Sequence, residues 1–326
     1  MSAPPPDRYA AAGVSLDAAD EAKRRIADLV RNARTPLARG KVGSFGGMVR
    51  LPEGYKEPLL VMSTDGVGSK VLVAAAANVH HTVGEDLVNH PVNDILVHGA
   101  TPLAFLDYFA TGNLVPEIAA QIVAGVARGC RAHDMTLAGG ETAQLPDLYA
   151  PGHYDLAGSI VGVVEEHEAI HGDRVSPGDQ LIGYASTGLH TNGYTLARKI
   201  VFDWMKLRID DPLPETNQTV AQALLAVHRS YAATLKPILP RVHALAHITG
   251  GGIPGNLARE ISADLIAHGH VERAYLGLDL QPRLRSDTRT TGVLVSGVAK
   301  GSPAAQAGGP RSIAAAPRDA PSLRRR

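Results

Sequence analysis

The sequence predicts an α/β to α+β protein built from two domains. Strand-like and helix-like runs alternate between residues 59 and 165, which is the pattern of a sheet with helices packed on it. Several of those runs end in glycine-flanked acidic groups, Asp65-Gly66 and Gly140-Glu141, which is where α/β proteins place chemistry. At 326 residues, 44% hydrophobic and 20% charged, the chain can bury two ordinary cores.

In chain order, residues 1–13 read as a flexible arm. Residues 16–33 read as an amphipathic helix with Leu16, Ala19, Ile26, Leu29 and Val30 on one stripe. "RGKVGSFGGM" (39–48) holds four glycines in ten residues and reads as a mobile loop. Residues 59–63 predict a strand, 67–77 a helix, and 83–98 a second helix interrupted at Pro91. Then come a strand over 103–110, a helix over 116–133, and a strand over 135–138 closing at Gly139-Gly140. An apolar strand follows over 156–165. The Pro177-Gly178-Asp179 turn opens a new unit, so the domain break falls at 165–178. Beyond it lie a strand over 180–185, the loop "STGLHTNGY" running into a helix over 194–202, and a long helix over 218–239. A short strand over 243–248 enters Gly250-Gly251-Gly252. After Glu260 the text turns to β and turn material, and residues 309–326 have the Ala/Pro-rich composition of disordered chain.

Composition narrows the function classes. Lys+Arg and Asp+Glu both number 32, a balance that argues neither for nor against nucleic acid; aromatics at 4% disfavour base-stacking surfaces, and no nucleic-acid partner is expected. A single cysteine, Cys130, permits no intrachain disulfide and suits a reducing cytoplasm; it reads as a packed helix thiol. The N-terminus lacks the pattern of a signal peptide, and no apolar run reaches membrane-spanning length, so no membrane association is expected.

Four stretches carry candidate chemistry. In "TDGVGSK" the glycines let backbone approach a phosphate, and Asp65 beside them suggests an intervening Mg²⁺; the alternative is a strand-to-helix turn with Asp65 as N-cap. The order is not that of a Walker A loop. In "VNDILVHGA", Asp94 is an acid flanked by apolar residues within a helix. In "LAGGETAQLP", Glu141 follows two glycines. Asp65, Asp94 and Glu141 together form the oxygen-rich set magnesium prefers, although sequence alone does not bring them together. In "STGLHTNGY", His190 fits a phosphate ligand, a general acid or base, or an ordinary loop hydrogen bond. His80, His81, His90 and His98 show no ligand spacing and read as surface or structural.

Taken in order, "YAAAGVSLDAAD", "TDGVGSK", "VNDILVHGATPLAFLDY" and "LAGGETAQLPDLY" resemble the phosphoribosylformylglycinamidine cyclo-ligase family, the aminoimidazole ribonucleotide synthetases. "SPGDQLIGYASTGLHTNGYTLARKI" and "HALAHITGGGIPGNLARE" continue the likeness, which spans about residues 7–260. The resemblance implies a homodimeric, cytoplasmic ligase of purine biosynthesis. In such an enzyme ATP phosphorylates the formyl oxygen of formylglycinamidine ribonucleotide, and an internal amine then closes the imidazole ring. It implies ATP contacts at Gly43, Gly46, Gly47, Asp65, Gly66, Gly68, Asp94, Gly140, Glu141 and Thr142. It also implies Mg²⁺ on Asp65, Asp94 and Glu141, substrate contacts at His190, Asn192 and Gly250–Gly252, and catalytic roles for His190 and Lys70. Selenophosphate synthetases would place a reactive Cys where Ser44 stands, and thiamine-monophosphate kinases would not share the "GGETAQLP" and "ITGGG" context so fully.

The departures are specific. Ser69 stands where the family usually has Thr, Gln144 where Glu is common, and Ala27 where a lysine is usual. Past Glu260 the likeness stops, and residues 262–308 resemble part of a PDZ domain of an HtrA-type protease. The expected organisation is therefore an ATP-binding, dimer-forming domain over 1–168 and a truncated second domain over 169–261. A partial PDZ-like segment over 262–308 and a disordered tail follow. Turnover is expected to be impaired; the alternatives are a nucleotide-binding fusion without catalysis and a peptide-binding module.

Overall fold

The computed structural model describes residues 8–176, 179–257, 278–281 and 294–298. It divides into two compact units, 1–268 and 269–326. In chain order the first unit contains α1 (Arg8–Ala11), α2 (Leu16–Asn32), β1 (Ala38–Arg39), β2 (Met48–Val49) and β3 (Pro58–Gly66). Next are α3 (Lys70–Ala77), α4 (His81–Leu96), β4 (Thr101–Thr111), α5 (Pro116–Ala132), β5 (Thr136–Gln144) and β6 (Tyr154–Glu165). The short helices α6 (Tyr194–Arg198), α7 (Val220–Leu224) and α8 (Ala232–Leu235) end the series. In the second unit β7 (Leu278–Gln281) pairs antiparallel with β8 (Leu294–Val298). Apart from these two strands, the expected PDZ-like segment over 262–308 and the expected tail lie outside the described residues, and nothing here bears on the PDZ resemblance.

The central sheet has the order β3-β6-β4-β5. Its β3·β6 and β4·β6 pairs are antiparallel, whereas β4 and β5 run parallel, joined through α5 as a parallel pair requires. One face carries α2, α4 and α5 over a core that includes Phe105, Ile122, Leu137, Leu156 and Ile160. The opposite face leaves Leu60, Met62, Leu106 and Tyr108 exposed. Near it a cavity of about 460 Å³ is lined by residues that include Gly47, Val49, Leu60, Leu106 and Val161.

α2 begins where Ser15 accepts a hydrogen bond from the Ala18 amide, an N-cap that satisfies a free helix donor. Gln144 locks that start to the sheet. Its Oε1 accepts from the Ser15 amide at 3.0 Å and its Nε2 donates to the Ser15 carbonyl at 2.9 Å. A glutamate could accept but not donate, so the amide at this position is explained by the contact. α4 and α5 pack through glycines: a Cβ at Gly84 would lie 2.1 Å from the Ile122 carbonyl oxygen. This close approach is what buries α4 on nearly every side.

Several expected elements differ. The arm contains a helical turn, α1. α4 runs through Pro91 without interruption, and α3 begins only at Lys70. β5 does not close at Gly139-Gly140 but extends to Gln144. The helix over 194–202 divides into α6 and a π-helical turn, Lys199–Trp204.

The helix expected over 218–239 is broken between α7 and α8, and the cause is visible. Asp86, Asn89 and Asn93 form a polar stripe on α4 that takes the backbone of 228–231. Asp86 accepts from the His228 amide at 2.7 Å, Asn89 donates to the His228 carbonyl at 2.8 Å, and Asn93 bonds both the Arg229 carbonyl and the Tyr231 amide. Backbone groups held by side chains are lost to an i→i−4 ladder. The strands expected over 180–185 and 243–248 are irregular, since no partner strand lies beside them among the described residues. Leu181, Ile182 and Tyr184 are consequently exposed.

Candidate functional site

The end of β3 organises the site. In register, Asp65, Gly158, Asp107 and Gly140 form one row across the sheet, and Gly66, Ala157, Tyr108 and Glu141 form the next. Successive residues of a strand face opposite sides, so Asp65 projects toward the helices and Glu141 toward the uncovered face. Three strand spacings, about 14 Å, also separate their strands. Asp65 is not a helix cap: it lies inside β3, and the residue before α3 is Ser69. Gly68, at φ 63°, makes the turn between them, a conformation that glycine adopts without a Cβ clash.

On the helix side, four loops and elements converge. Asp65 Oδ2 lies 2.9 Å from His90 Nε2 on α4, and its Oδ1 accepts from the Gly66 amide. These contacts, led by His90, hold the Asp65 carboxyl below its usual range. One turn on from His90, Asp94 bonds Ser63 Oγ at 2.9 Å and His247 Nδ1 at 2.8 Å. His90 Nδ1 meets Thr191 Oγ1 at 2.5 Å, which ties α4 to the "STGLHTNGY" loop.

Lys70 is fully buried. Its ammonium lies 2.7 Å from Asp86 Oδ2 and donates to the carbonyls of His190 and Ala226 at 3.1 and 2.8 Å. Those three acceptors use all three N–H groups. Lys70 is thus placed as a positioning residue that fixes the His190 loop, with no donor left for a substrate. Burial pushes the Asp86 carboxyl up to about 6 and draws the Lys70 ammonium down.

His190 adopts φ 56° and stacks on His228 with ring centroids 4.1 Å apart. Its Nε2 accepts from the Thr187 amide at 3.1 Å, so the proton of the neutral ring sits on Nδ1. Burial, reinforced by the charges of His247 and Lys70, lowers its pKa to about 4 and keeps the ring neutral near pH 7. In this arrangement His190 offers a hydrogen-bond donor rather than a free base. Asn192 lies beside the glycine turn: a Cβ at Gly250 would be 3.9 Å from its Oδ1. Asn256, not singled out from sequence, closes that turn by donating to the carbonyls of Thr249, Gly250 and Gly252.

The remaining candidates sit elsewhere. Gly43 and Gly46 lie in the open hairpin between β1 and β2, and Gly47 packs directly on Ala138, where β5 bulges. Gly140 approaches Asp107 so closely that a Cβ would meet its Oδ1 at 2.2 Å, and burial pushes the Asp107 carboxyl up to about 7. Thr142 stands in register with Phe109. Asp65 and Asp94 therefore gather with His90 and His247, whereas Glu141 belongs to the other face with the glycine hairpin. One Mg²⁺ does not fit Asp65, Asp94 and Glu141 together in this arrangement.

Sequence reading placed His90 among the structural histidines and did not single out His228 or His247. His228 and His247 each follow a short apolar run, residues 224–227 and 244–246, whereas His90 sits between Asn89 and Pro91; the convergence comes from packing.

Fold and site together define the class, that of the AIR synthase related proteins. The N-terminal domain of that family matches residues 43–164 and its C-terminal domain residues 176–268. The chain is 49% identical over 254 residues to a phosphoribosylformylglycinamidine cyclo-ligase of Trichlorobacter lovleyi, covering 77% of this chain and 73% of that protein. It is 50% identical over 254 residues to the one from Myxococcus xanthus, with 77% and 74% covered. A thiamine-monophosphate kinase from Stenotrophomonas maltophilia shares the fold, with TM-score 0.53 at 18% identity over 73% of this chain and 71% of that one. The chain belongs to the phosphoribosylformylglycinamidine cyclo-ligase family. No helix among the described residues is long and apolar enough to cross a membrane.

Proposed function

We propose that this chain catalyses the ATP-dependent closure of formylglycinamidine ribonucleotide to aminoimidazole ribonucleotide, with release of ADP and phosphate. The observation that carries the reading is the meeting of the β3 end, α4, the His190 loop and the segment entering the Gly250–Gly252 turn in one half-buried cluster, through Asp65–His90–Thr191, Lys70–His190 and Asp94–His247. The His90–Thr191 and Lys70–His190 contacts join residues 101 and 120 positions apart, and all of these stretches fall within the matched family domains. ATP is the phosphoryl donor, approached from the glycine hairpin and the Glu141 face.

The chain's own residues supply positioning. In the Gly66–Gly68 turn Asp65 Oδ1 takes the Gly66 amide and the Leu156 carbonyl the Val67 amide, which leaves the Gly68 amide for phosphate. His190 Nδ1–H is a neutral donor for a substrate oxygen, and the Asn256-held glycine turn forms the opposite wall. Residues 180–185 and 243–248 form no strands here, so that wall has little regular backbone behind it. Misplacing reacting groups by about 1 Å can cost roughly 100-fold in rate. Slow turnover is the expected result.

The exposed apolar face with Leu60, Met62, Leu106 and Tyr108 supports homodimerisation through that face. Light scattering of the purified chain reports the mass directly; a monomer at all concentrations rejects a dimer. For the reaction, ADP release is measured with and without formylglycinamidine ribonucleotide. Substrate-dependent release supports the assignment. ATP binding with no substrate-dependent release overturns it in favour of a nucleotide-binding protein without catalysis.

A further inference from the structure

We propose that His90, Asp94 and His247 form a binding site for a transition-metal dication of the Zn²⁺, Co²⁺ or Ni²⁺ class, stapling α4 to the segment that enters the Gly250–Gly252 turn. Each of the three residues offers one ligand atom, and these atoms lie within 4.8 Å of one another. Two imidazole nitrogens with one carboxylate suit these metals, whereas magnesium and calcium take oxygen sets. With metal–ligand bonds of about 2.0–2.2 Å, ligands around a tetrahedral ion stand roughly 3.4 Å apart, so small side-chain rotations close the site.

Four histidine rings touch here: His90 lies 5.1 Å from both His228 and His247, His228 lies 5.4 Å from His247, and His190 stacks on His228. His228 has both nitrogens engaged, Nδ1 with Thr191 Oγ1 at 3.3 Å and Nε2 with Asn93 Nδ2 at 3.1 Å. His190 has Nε2 engaged by the Thr187 amide. His90 Nε2 and His247 Nε2 are buried and make no aligned hydrogen bond; His90 Nε2 has only the Asp65 carboxylate at 2.9 Å beside it. A buried polar atom without a partner is costly, and His247 Nε2 is one; His90 Nε2 is shared with the Asp65 carboxylate, the further oxygen at the rim of the site.

The surroundings are those of a supported metal centre. Ser63 Oγ orients Asp94 and Thr191 Oγ1 orients His90, the outer contacts that fix ligand geometry. His90 and Asp94 share a face of α4 by their i,i+4 spacing. The side chains of His90 and His247 are 3% and 10% exposed, so few waters compete for the ion. Asp65 stands at the rim as a further oxygen.

The test uses the full, untagged chain, stripped with chelator and titrated with Co²⁺ in the absence of ATP and substrate. Its outcome is therefore independent of the ligase reading. Expected are visible d–d bands of a low-coordinate site, saturating at one Co²⁺ per chain, displaced by Zn²⁺ and unaffected by equimolar Mg²⁺. His90→Ala and His247→Ala should each weaken binding by well over roughly 100-fold, beyond the 10–100-fold range of outer-contact changes. His153→Ala and His167→Ala, both at exposed positions, should leave it unchanged. Should the alanine variants fold poorly, Asp94→Asn and His247→Gln preserve size. Zn²⁺ should then raise the melting temperature of the parent but not of these two. Absence of d–d bands, displacement by Mg²⁺, or full Co²⁺ affinity in any ligand variant overturns the site.

Discussion

Gly84→Ala tests the packing that places α4. A Cβ at this position would lie 2.1 Å from the Ile122 carbonyl oxygen and 3.1 Å from the Val126 nitrogen. Carbon–oxygen contacts settle near 3.3 Å, so α4 and α5 must separate by about 1.2 Å or bend. Overpacking costs about 1–3 kcal/mol. The obstacle here is main chain rather than the end of a flexible side chain, which puts the change near the upper figure, about 3 kcal/mol. For a domain of this size each kcal/mol lowers the melting temperature by about 2–4 °C, so the expected loss is roughly 6–12 °C. Because α4 carries Asp86, His90 and Asp94, Co²⁺ affinity should fall with it. The assay is thermal unfolding followed by far-ultraviolet circular dichroism, with Gly46→Ala as control, since a Cβ there meets nothing within 4 Å. A Gly84→Ala melting temperature within about 2 °C of the parent, the scatter of neutral surface changes, refutes the tight-packing account.

Lys70→Met leaves Asp86 buried without its cation and frees the His190 and Ala226 carbonyls; the expected cost is about 3–5 kcal/mol by urea unfolding, and a loss under 1 kcal/mol contradicts the positioning role. Gln144→Glu removes the donor to the Ser15 carbonyl and should cost about 1 kcal/mol in the same assay, whereas an unchanged midpoint argues against the two-way clasp. The histidine cluster sets an acid dependence. Burial lowers the pKa of His228 and of His190, so the unfolded chain binds more protons once pH falls below the ordinary histidine value near 6.5. Their contribution is whole above about pH 6.5 and is lost progressively toward pH 4. Asp86 and Asp107, raised to about 6 and about 7, work in the opposite sense. The quantity to read is therefore the difference between parent and His228→Gln across one pH series. That difference should shrink as pH falls from 7 to 5, and a constant difference rules out the linkage.

Much of the fold was legible because its determinants are local. The period of apolar residues marks α2 and α5, the turn glycines mark the end of β3, and Pro116 opens α5 at its first turn. The acidic and glycine positions were legible for the same reason, as unusual residues at strand ends. Their grouping was not. Register across four strands decides that Asp65 and Glu141 face opposite sides, and register is a property of pairing between distant segments. The helix expected over 218–239 had the right local pattern, yet side chains of α4 captured its backbone at 228–231. A stretch with strand propensity, 180–185, stayed irregular without a neighbour. The sequence by itself determined the family, the main elements of residues 16–165 and the residue types available for chemistry. The tertiary structure alone decided which of them meet: it saturated Lys70, set the His190 proton on Nδ1, and gathered His90, Asp94 and His247 from segments some 150 residues apart. Side-chain hydrogen bonds and burial act between neighbours in space, and no local pattern in the chain records them.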